Sequence, residues 1–91
     1  MVMRFLWSGS KRQRNLRDHG LDFVDAAHVF QGPTFTFEDD RHQYQERRFV
    51  TLGLLNGIAV SIVHTETDDR IRVISFRKAT KREQKIFFEN I

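Results

Sequence analysis

The sequence predicts an α+β domain of two layers, in which helices pack on one face of an antiparallel sheet. Two observations favour this class. Apolar runs fill much of the second half of the chain and flank Asn56-Gly57, and Asn-Gly between such runs is the strongest short signal for a β-hairpin. Residues 10–30 and the segment after Thr80 have a different pattern, in which apolar side chains recur at helical spacing and helix-capping residues precede them. The predicted order is β-α-α-β-β-β-β-α, in a single domain over residues 1–91.

The first part of the chain predicts one short strand and two helices. Residues 4–7 are an apolar stretch and predict the opening strand. Ser10 begins the spacing of a capping box and predicts a polar helix that stops at His19-Gly20. Asp22 is a second N-cap candidate, and residues 23–30 place apolar side chains at helical spacing.

The rest of the chain predicts four strands and a last helix. The strands are expected at residues 34–37, 48–55, 58–65 and 71–76, with a polar loop at 39–45. Asp68-Asp69 marks the second tight turn. Thr80 and Glu83 have the spacing of a capping box, and the helix that they open carries Ile86 and Phe87 on its apolar side.

The hairpin turn fixes an expected register. A two-residue loop at Asn56-Gly57 places Phe49 opposite His64. The same register places Arg47 opposite Glu66, as an ordinary ion pair or as part of a site. Because cross-strand partners share a face, the two faces can be assigned. The face expected to be core carries Val50, Leu52, Leu54, Val63, Ile74 and Phe76. The face expected to bind a ligand carries Arg47, His64, Glu66, Ser75 and Arg77 among Val60, Ile62 and Val73.

The positive charge is concentrated at the C-terminal end. The chain has 15 Lys and Arg against 12 Asp and Glu, a net charge of +3, and a pI near 9.8. The segment from Arg77 to Ile91 contains five of the basic residues and only two acidic ones, so it carries the whole excess. Such a face is either an ordinary solvated helix surface or a site for a polyanion.

The sequence lacks the signature motifs of several function classes. The absence of cysteine excludes disulfides, thiolate zinc sites and cysteine nucleophiles. No Gly-rich phosphate loop and no G-x-S-x-G motif occurs, and the four histidines have no metal-ligand spacing, so we expect no cofactor. No apolar run approaches the roughly 20 residues of a membrane span. The apolar start at residues 1–7 is too short for a signal peptide, and we therefore expect a cytoplasmic protein.

The remaining polar residues suit metal-independent RNA cleavage by attack of a ribose 2′-hydroxyl. This reaction needs a base, an acid and cations around the charged phosphorane. His64 could exchange a proton near neutral pH, although a histidine near a strand end is more often structural. Glu66 could be the base, and Arg72 and Arg77 could hold the phosphate in bidentate fashion. The expected contacts to the RNA backbone are Lys11, Arg47, Arg48 and Lys78.

One segment resembles a known family. Residues 15–23 are similar to the N-x-x-K-H-G-[ILV]-x-F segment of BrnT-type toxins. The similarity continues in order through residues 29–30, 46–48, 53–57, 63–66 and 71–79. It implies a RelE-like fold and a ribonuclease toxin of a type II toxin–antitoxin pair that inhibits translation. It also implies a BrnA-like ribbon-helix-helix antitoxin through which the complex represses its own operon. The implied site residues are Lys11, His64, Glu66, Arg72, Arg77 and Lys78.

The chain departs from the family pattern at two positions near the implied site. Ser8 follows Trp7 where the family often has aspartate, and Thr67 stands where arginine is common. The missing arginine predicts weaker phosphate binding, unless Arg70 or Arg47 replaces it.

Two other function classes fit the same elements. The central α-β-β-β-α order resembles a double-stranded RNA-binding domain, whose phosphate contacts would be Lys78, Lys81, Arg82 and Lys85. The third candidate is a domain that docks a partner helix on its mixed sheet face. RNA cleavage separates the toxin from both, and salt-sensitive RNA binding without cleavage favours the RNA-binding module.

Overall fold

The computed structural model describes residues 3–41, 43 and 45–91. The elements are β1 Arg4–Leu6, α1 Gly9–His19, a 3₁₀ turn Phe23–Asp25, α2 Ala26–Gln31, β2 Phe35–Asp39, β3 Arg48–Leu55, β4 Ile58–Glu66, β5 Arg70–Lys78 and α3 Lys81–Glu89. This order confirms the predicted α+β class. In the predicted loop 39–45, His42 and Tyr44 lie outside the described residues.

Helix boundaries follow from their capping residues. Ser8, rather than Ser10, is the N-cap of α1, and its Oγ accepts a hydrogen bond from the Lys11 amide at 3.4 Å. Gly20 ends this helix with a left-handed φ of 72°, which favours glycine. Asp22 caps the 3₁₀ turn as predicted. The predicted capping box at the start of α3 is also confirmed.

The five strands form one sheet in the order β1-β5-β4-β3-β2. Strands β2 to β5 are an antiparallel meander, and Phe49 lies opposite His64 as predicted. The sheet is not wholly antiparallel, because β1 pairs with β5 in parallel, with Phe5 opposite Ile71. Parallel neighbours need a long crossover connection, and the helices and strands between β1 and β5 provide it.

Helices lie on both faces of the sheet. The first face, called the covered face, packs against the 3₁₀ turn and α2, whereas α1 lies along β5, where Asn15 hydrogen-bonds to the Phe76 backbone. Its buried cluster contains Phe23, Ala26, Val29, Val60, Ile62, Ile71, Val73 and Phe76. Gly53 lies here, and a Cβ on it would be 2.6 Å from Val29 Cγ1, so glycine permits the close approach of α2.

The second face, called the open face, is partly overlaid by α3. Its cluster contains Val50, Leu52 and Phe87. Because side chains alternate along a strand, Leu52 points away from the face that carries Gly53. Thus α3 lies opposite α2, whereas all helices were expected on one face. The apolar pattern of α3 predicts its buried side but not which sheet face receives it.

A β-bulge between β4 and β5 decides which residues share a face. His64 lies opposite Val73, but Val63 lies opposite Ser75, so Ile74 is the extra residue. The bulge places Phe76 on the covered face and Ser75 and Arg77 on the open face. The expected face that joined His64 to Ser75 and Arg77 is therefore wrong, since that expectation assumed an uninterrupted ladder.

Candidate functional site

Three arginines share the open face. Arg77 lies opposite Ser61 and Arg72 opposite Thr65, and Arg48 precedes Val50 by two residues on β3. Their side chains therefore project from the same side of neighbouring strands. The Arg72 side chain is 55% exposed and that of Arg77 is 34% exposed. Arg72 and Arg77 are five residues apart on β5 and line different clefts of this face. Each guanidinium group suits a phosphate, which it can bind through two parallel hydrogen bonds.

Arg77 is held in place by α3. Its Nη1 and Nη2 donate to the two carboxylate oxygens of Glu83 at 2.8 and 3.0 Å, and Nη1 also donates to the Lys78 carbonyl at 3.1 Å. The same carboxylate accepts a hydrogen bond from the Thr80 amide at 2.8 Å in the capping box. These bonds use three of the five guanidinium N–H groups, so two are left for a ligand.

Glu83 is suited to this anchoring role by its charge. Burial by itself raises its pKa, but the hydrogen bonds from Arg77 and Thr80 outweigh that effect and lower the pKa below its ordinary value. Glu83 therefore stays ionised at neutral pH. It couples the start of α3 to the orientation of Arg77.

A buried hydroxyl lies beside Arg77. Ser61 is 1% exposed, and its Oγ has no hydrogen-bond partner among residues 3–41, 43 and 45–91. Ser61 and Arg77 line a cleft of about 180 Å³, whose other lining residues are Phe37, Glu38, Asp39, Asp40, Arg41, Val50, Val63 and Glu83. Four of these side chains are acidic. An unsatisfied buried hydroxyl is uncommon in proteins, and a ligand in this cleft would satisfy it.

The end of the sheet brings together cations and carboxylates. A cleft of about 430 Å³ is lined by Leu6, Glu46, Arg47, Thr65, Glu66, Thr67, Arg70 and Arg72. The Nη2 atom of Arg72 lies 3.8 Å from the Oε2 atom of Glu46, and Glu66 is 39% exposed. Arg70 and Arg47 both line the cleft beside Thr67.

His64 lies on the covered face and is fully buried. Its ring stacks on Phe49 with centroids 6.0 Å apart and meets Phe30 edge-on at 5.4 Å. Its Nε2 lies 2.7 Å from Thr51 Oγ1, which in turn lies 2.7 Å from Thr36 Oγ1. Burial lowers the His64 pKa to about 4, although the Thr65 backbone acts in the opposite direction. The imidazole is therefore neutral at pH 7.

One atom of His64 faces the sheet end. Nδ1 is 3.8 Å from Glu66 Oε2 and has no hydrogen-bond partner in the described part of the chain. His64 is thus separated from Arg72 and Arg77 by the sheet itself. Its nearest carboxylate is Glu66.

The four residues that were expected to contact the RNA backbone do not lie together in the structure. Arg48 lies on the open face, whereas Arg47 precedes β3 and donates to the Glu38 carboxylate at 2.8 and 3.2 Å. The expected Arg47–Glu66 pair is therefore wrong, because the regular ladder does not reach Arg47. Lys11 is exposed on α1 and lines a small cleft with Ser75. Lys78 is exposed at the end of β5, opposite Val60.

Sequence analysis missed three contributors to this arrangement. Glu83 was identified as a helix cap, but its second role requires α3 to lie beside the end of β5. Ser61 could be assigned to the Arg77 side only with the bulge known. Glu46 lies in the segment 46–48 that resembles the family, but the sequence assigned it no role.

The described residues contain no group of three or more potential metal ligands from His, Cys, Asp and Glu. None of the described helices is long and apolar enough to cross a membrane.

Comparison with known proteins identifies the family. A family model described as the ribonuclease toxin BrnT of a type II toxin–antitoxin system matches residues 7–83. The 1.1 Å crystal structure of the Brucella abortus ribonuclease toxin BrnT is 29% identical, with a TM-score of 0.70 over 88% of this chain and 100% of that chain. A comparison with curated proteins found no match. The chain belongs to the BrnT family of ribonuclease toxins of type II toxin–antitoxin systems.

Proposed function

We propose that the open face is where this toxin binds and cleaves RNA, by attack of a ribose 2′-hydroxyl on the adjacent phosphate and without a metal ion. The single observation that carries the proposal is the placement of Arg48, Arg72 and Arg77 on one sheet face. Cations fixed where charge develops can stabilise a phosphorane without reorganising during the reaction. Two of the four expected catalytic residues, Arg72 and Arg77, belong to this set.

In this mechanism the residues have separate roles. Arg77 and Arg72 hold the phosphate and neutralise the charge that builds up on it. Glu66, at the sheet end beside Arg72, takes the 2′ proton. His64 is a positioning residue that acts on Glu66 from the covered side, because its ring is buried and neutral. Lys11, Arg47, Arg48 and Lys78 contact the flanking RNA backbone.

The family implies an antitoxin, and we propose a BrnA-like ribbon-helix-helix protein. A basic toxin calls for a complementary acidic segment, which would neutralise it by covering the open face. The complex would contact operator DNA through the antitoxin and repress its own operon. The toxin would act in the cytoplasm, inhibit translation by cutting RNA, and share the RelE-like arrangement of sheet and helices.

The test is inducible expression in bacteria, with growth and total RNA followed over time. Wild-type protein and an Arg17→Ala control, whose substitution lies on exposed α1, should arrest growth and degrade RNA. Arg72→Ala should do neither while accumulating as soluble protein. Arrest by Arg72→Ala equal to that of wild type would remove Arg72 from the site. Salt-sensitive RNA binding by wild type without any cleavage would favour a non-catalytic RNA-binding module.

A further inference from the structure

The outward side of α3 combines two lysines with an exposed aromatic ring. Lys81, Lys85 and Phe88 are all exposed, whereas Phe87 on the opposite side of the helix is fully buried. With 3.6 residues per turn, the three exposed residues fall within a sector of about 60° around the helix axis. This surface, Lys81, Lys85 and Phe88, is called the α3 outer face. The open-face arginines do not form part of it.

Phe88 is held in a fixed position despite its exposure. Its side chain is 58% exposed, and its ring centroid lies 5.0 Å from that of buried Phe87 at an interplanar angle of 69°. This edge-to-face contact with a core residue restricts the Phe88 ring. A single exposed apolar residue needs no explanation by itself. On the outer face this ring lies beyond both lysines, toward the C-terminal end of α3, and forms an exposed aromatic surface next to positive charge.

The charges of this helix are mostly uncompensated. Lys81 and neighbouring Arg82 have no carboxylate within ion-pair distance in the described ranges. Lys85 approaches Glu89 only to 4.0 Å, with both side chains exposed. The other acidic residue of the helix, Glu83, is committed to Arg77. The outer face is therefore complementary to an anion with apolar rings, and a single-stranded nucleic acid has that chemistry.

We propose that the α3 outer face binds a single-stranded segment of the RNA substrate next to the cleavage site, with Phe88 stacking on an unpaired base and Lys81 and Lys85 contacting the flanking phosphates. The inference rests on the proposed ribonuclease function and adds that the RNA is recognised as a single strand. The two surfaces are joined through Glu83, which holds Arg77. Phe88 lies about 7.5 Å farther along the helix axis than Glu83, at 1.5 Å per residue. Glu83 projects from the opposite side of α3, about 140 to 160° around the axis from each residue of the outer face, at about 100° per residue. A strand that contacts both surfaces therefore passes around the helix, whose diameter with side chains is about 10 to 12 Å.

The test measures binding to a fluorescent 12-nucleotide RNA in which every ribose is 2′-O-methylated, so that 2′-hydroxyl attack is blocked. Phe88→Ala should weaken binding about tenfold, within the range measured for base–aromatic stacking, and Phe88→Trp should restore it. Lys81→Gln and Lys85→Gln should each lower the salt dependence of log K by about 0.7. Leu16→Ala and Arg17→Gln on α1 are the matched controls and should bind as wild type does.

Cleavage of unmodified RNA gives a second readout. Phe88→Ala should raise KM while leaving kcat within about twofold, because Phe88 does not touch the reacting phosphate. A paired RNA of the same length should be insensitive to Phe88→Ala, since its bases are already stacked.

Three outcomes would overturn the proposal. If wild type cleaves RNA and all three α3 variants bind the modified strand as tightly as wild type, the outer face is not an RNA surface and the ribonuclease function stands. If Phe88→Ala instead releases only the antitoxin, the face belongs to a protein partner. If wild type neither cleaves nor binds RNA, the ribonuclease function fails and this inference fails with it.

Discussion

The two faces of the sheet are built from alternate residues of the same strands, yet polar side chains are buried on one face and arginine side chains are partly exposed to solvent on the other. On the covered face, His64 and Thr51 are fully buried and hydrogen-bond to each other, and Thr36 extends the chain. On the open face, Arg72 and Arg77 keep part of their surface in contact with solvent. The covered face stabilises the fold, whereas the open face keeps its cations available to a ligand.

Ile74 at the bulge determines this division. Without the extra residue, Arg77 would share a face with His64, where the 3₁₀ turn and α2 pack. With it, Arg77 reaches Glu83 on α3. One inserted residue thus moves an arginine from the packed side of the sheet to the side on which we propose that RNA binds.

The largest effect is expected at Arg77. Arg77→Ala should reduce RNA cleavage about 1,000-fold, within the range for losing a preorganised donor to a transition-state charge. It should also lower stability, because Glu83 then keeps a half-buried charge without its partner. The double variant Arg77→Ala/Glu83→Gln separates the two effects, since it should regain stability without regaining cleavage. Recovery of cleavage in the double variant would show that Arg77 acts only through the fold.

The next effect concerns His64 and the pH dependence of stability. Its pKa is about 4 in the folded protein and ordinarily 6.5. The unfolded chain therefore binds more protons between these values, so the contribution is fully present above pH 6.5 and is lost as the pH falls toward 4. The expected loss is about 3 kcal/mol. Denaturant unfolding at pH 7 and pH 4.5 measures it, and His64→Leu should abolish this component. An unchanged slope in His64→Leu would contradict the burial argument.

Glu66→Gln should lower the cleavage rate about 100-fold with little change in stability, because the side chain lies at the exposed sheet end. Glu46→Gln, in the same cleft, is the matched control and should cleave at the wild-type rate. If Glu46→Gln loses cleavage and Glu66→Gln keeps it, the base is Glu46.

The smallest effect is expected at Thr51. Thr51→Val removes the hydroxyl 2.7 Å from His64 Nε2 and leaves a buried ring nitrogen unsatisfied, which should cost about 1.5 kcal/mol of stability. Thr36→Val, at the exposed end of the same chain, should cost less. Specific cleavage activity of the folded protein should stay unchanged in both variants. A fall in activity would show that the hydrogen bond between Thr51 and His64 takes part in positioning Glu66.

The sequence predicted the parts of the fold that depend on local chemistry. Asn56 and Gly57 have φ angles of 51° and 80°, which is why Asn-Gly identified the hairpin and the Phe49–His64 register. The Thr80–Glu83 capping box was likewise readable from spacing. Ser8 and Ser10 are chemically equivalent caps, so the sequence could not distinguish them.

The site was less predictable because it depends on tertiary placement. No local signal marks the bulge at Ile74, and the faces of Ser75, Phe76 and Arg77 all follow from it. The burial of His64 depends on Phe30 and Phe49 closing over its ring, which residue type does not reveal. Arg72 and Arg77 were identified from the sequence as arginines that could bind a phosphate. Their placement on one face could not be predicted, because it depends on the register of β4 and β5.

The most direct test of the account is cleavage of a defined RNA by the purified protein in the presence of a metal chelator. The RNA is compared with a copy that carries a single 2′-deoxy sugar at the main cleavage position, and both are incubated with wild type and Arg77→Ala. Wild type is expected to cut only the unmodified RNA, and Arg77→Ala is expected to cut neither. Equal cleavage of both RNAs by wild type would contradict 2′-hydroxyl attack, and wild-type rates in Arg77→Ala would contradict the open-face site.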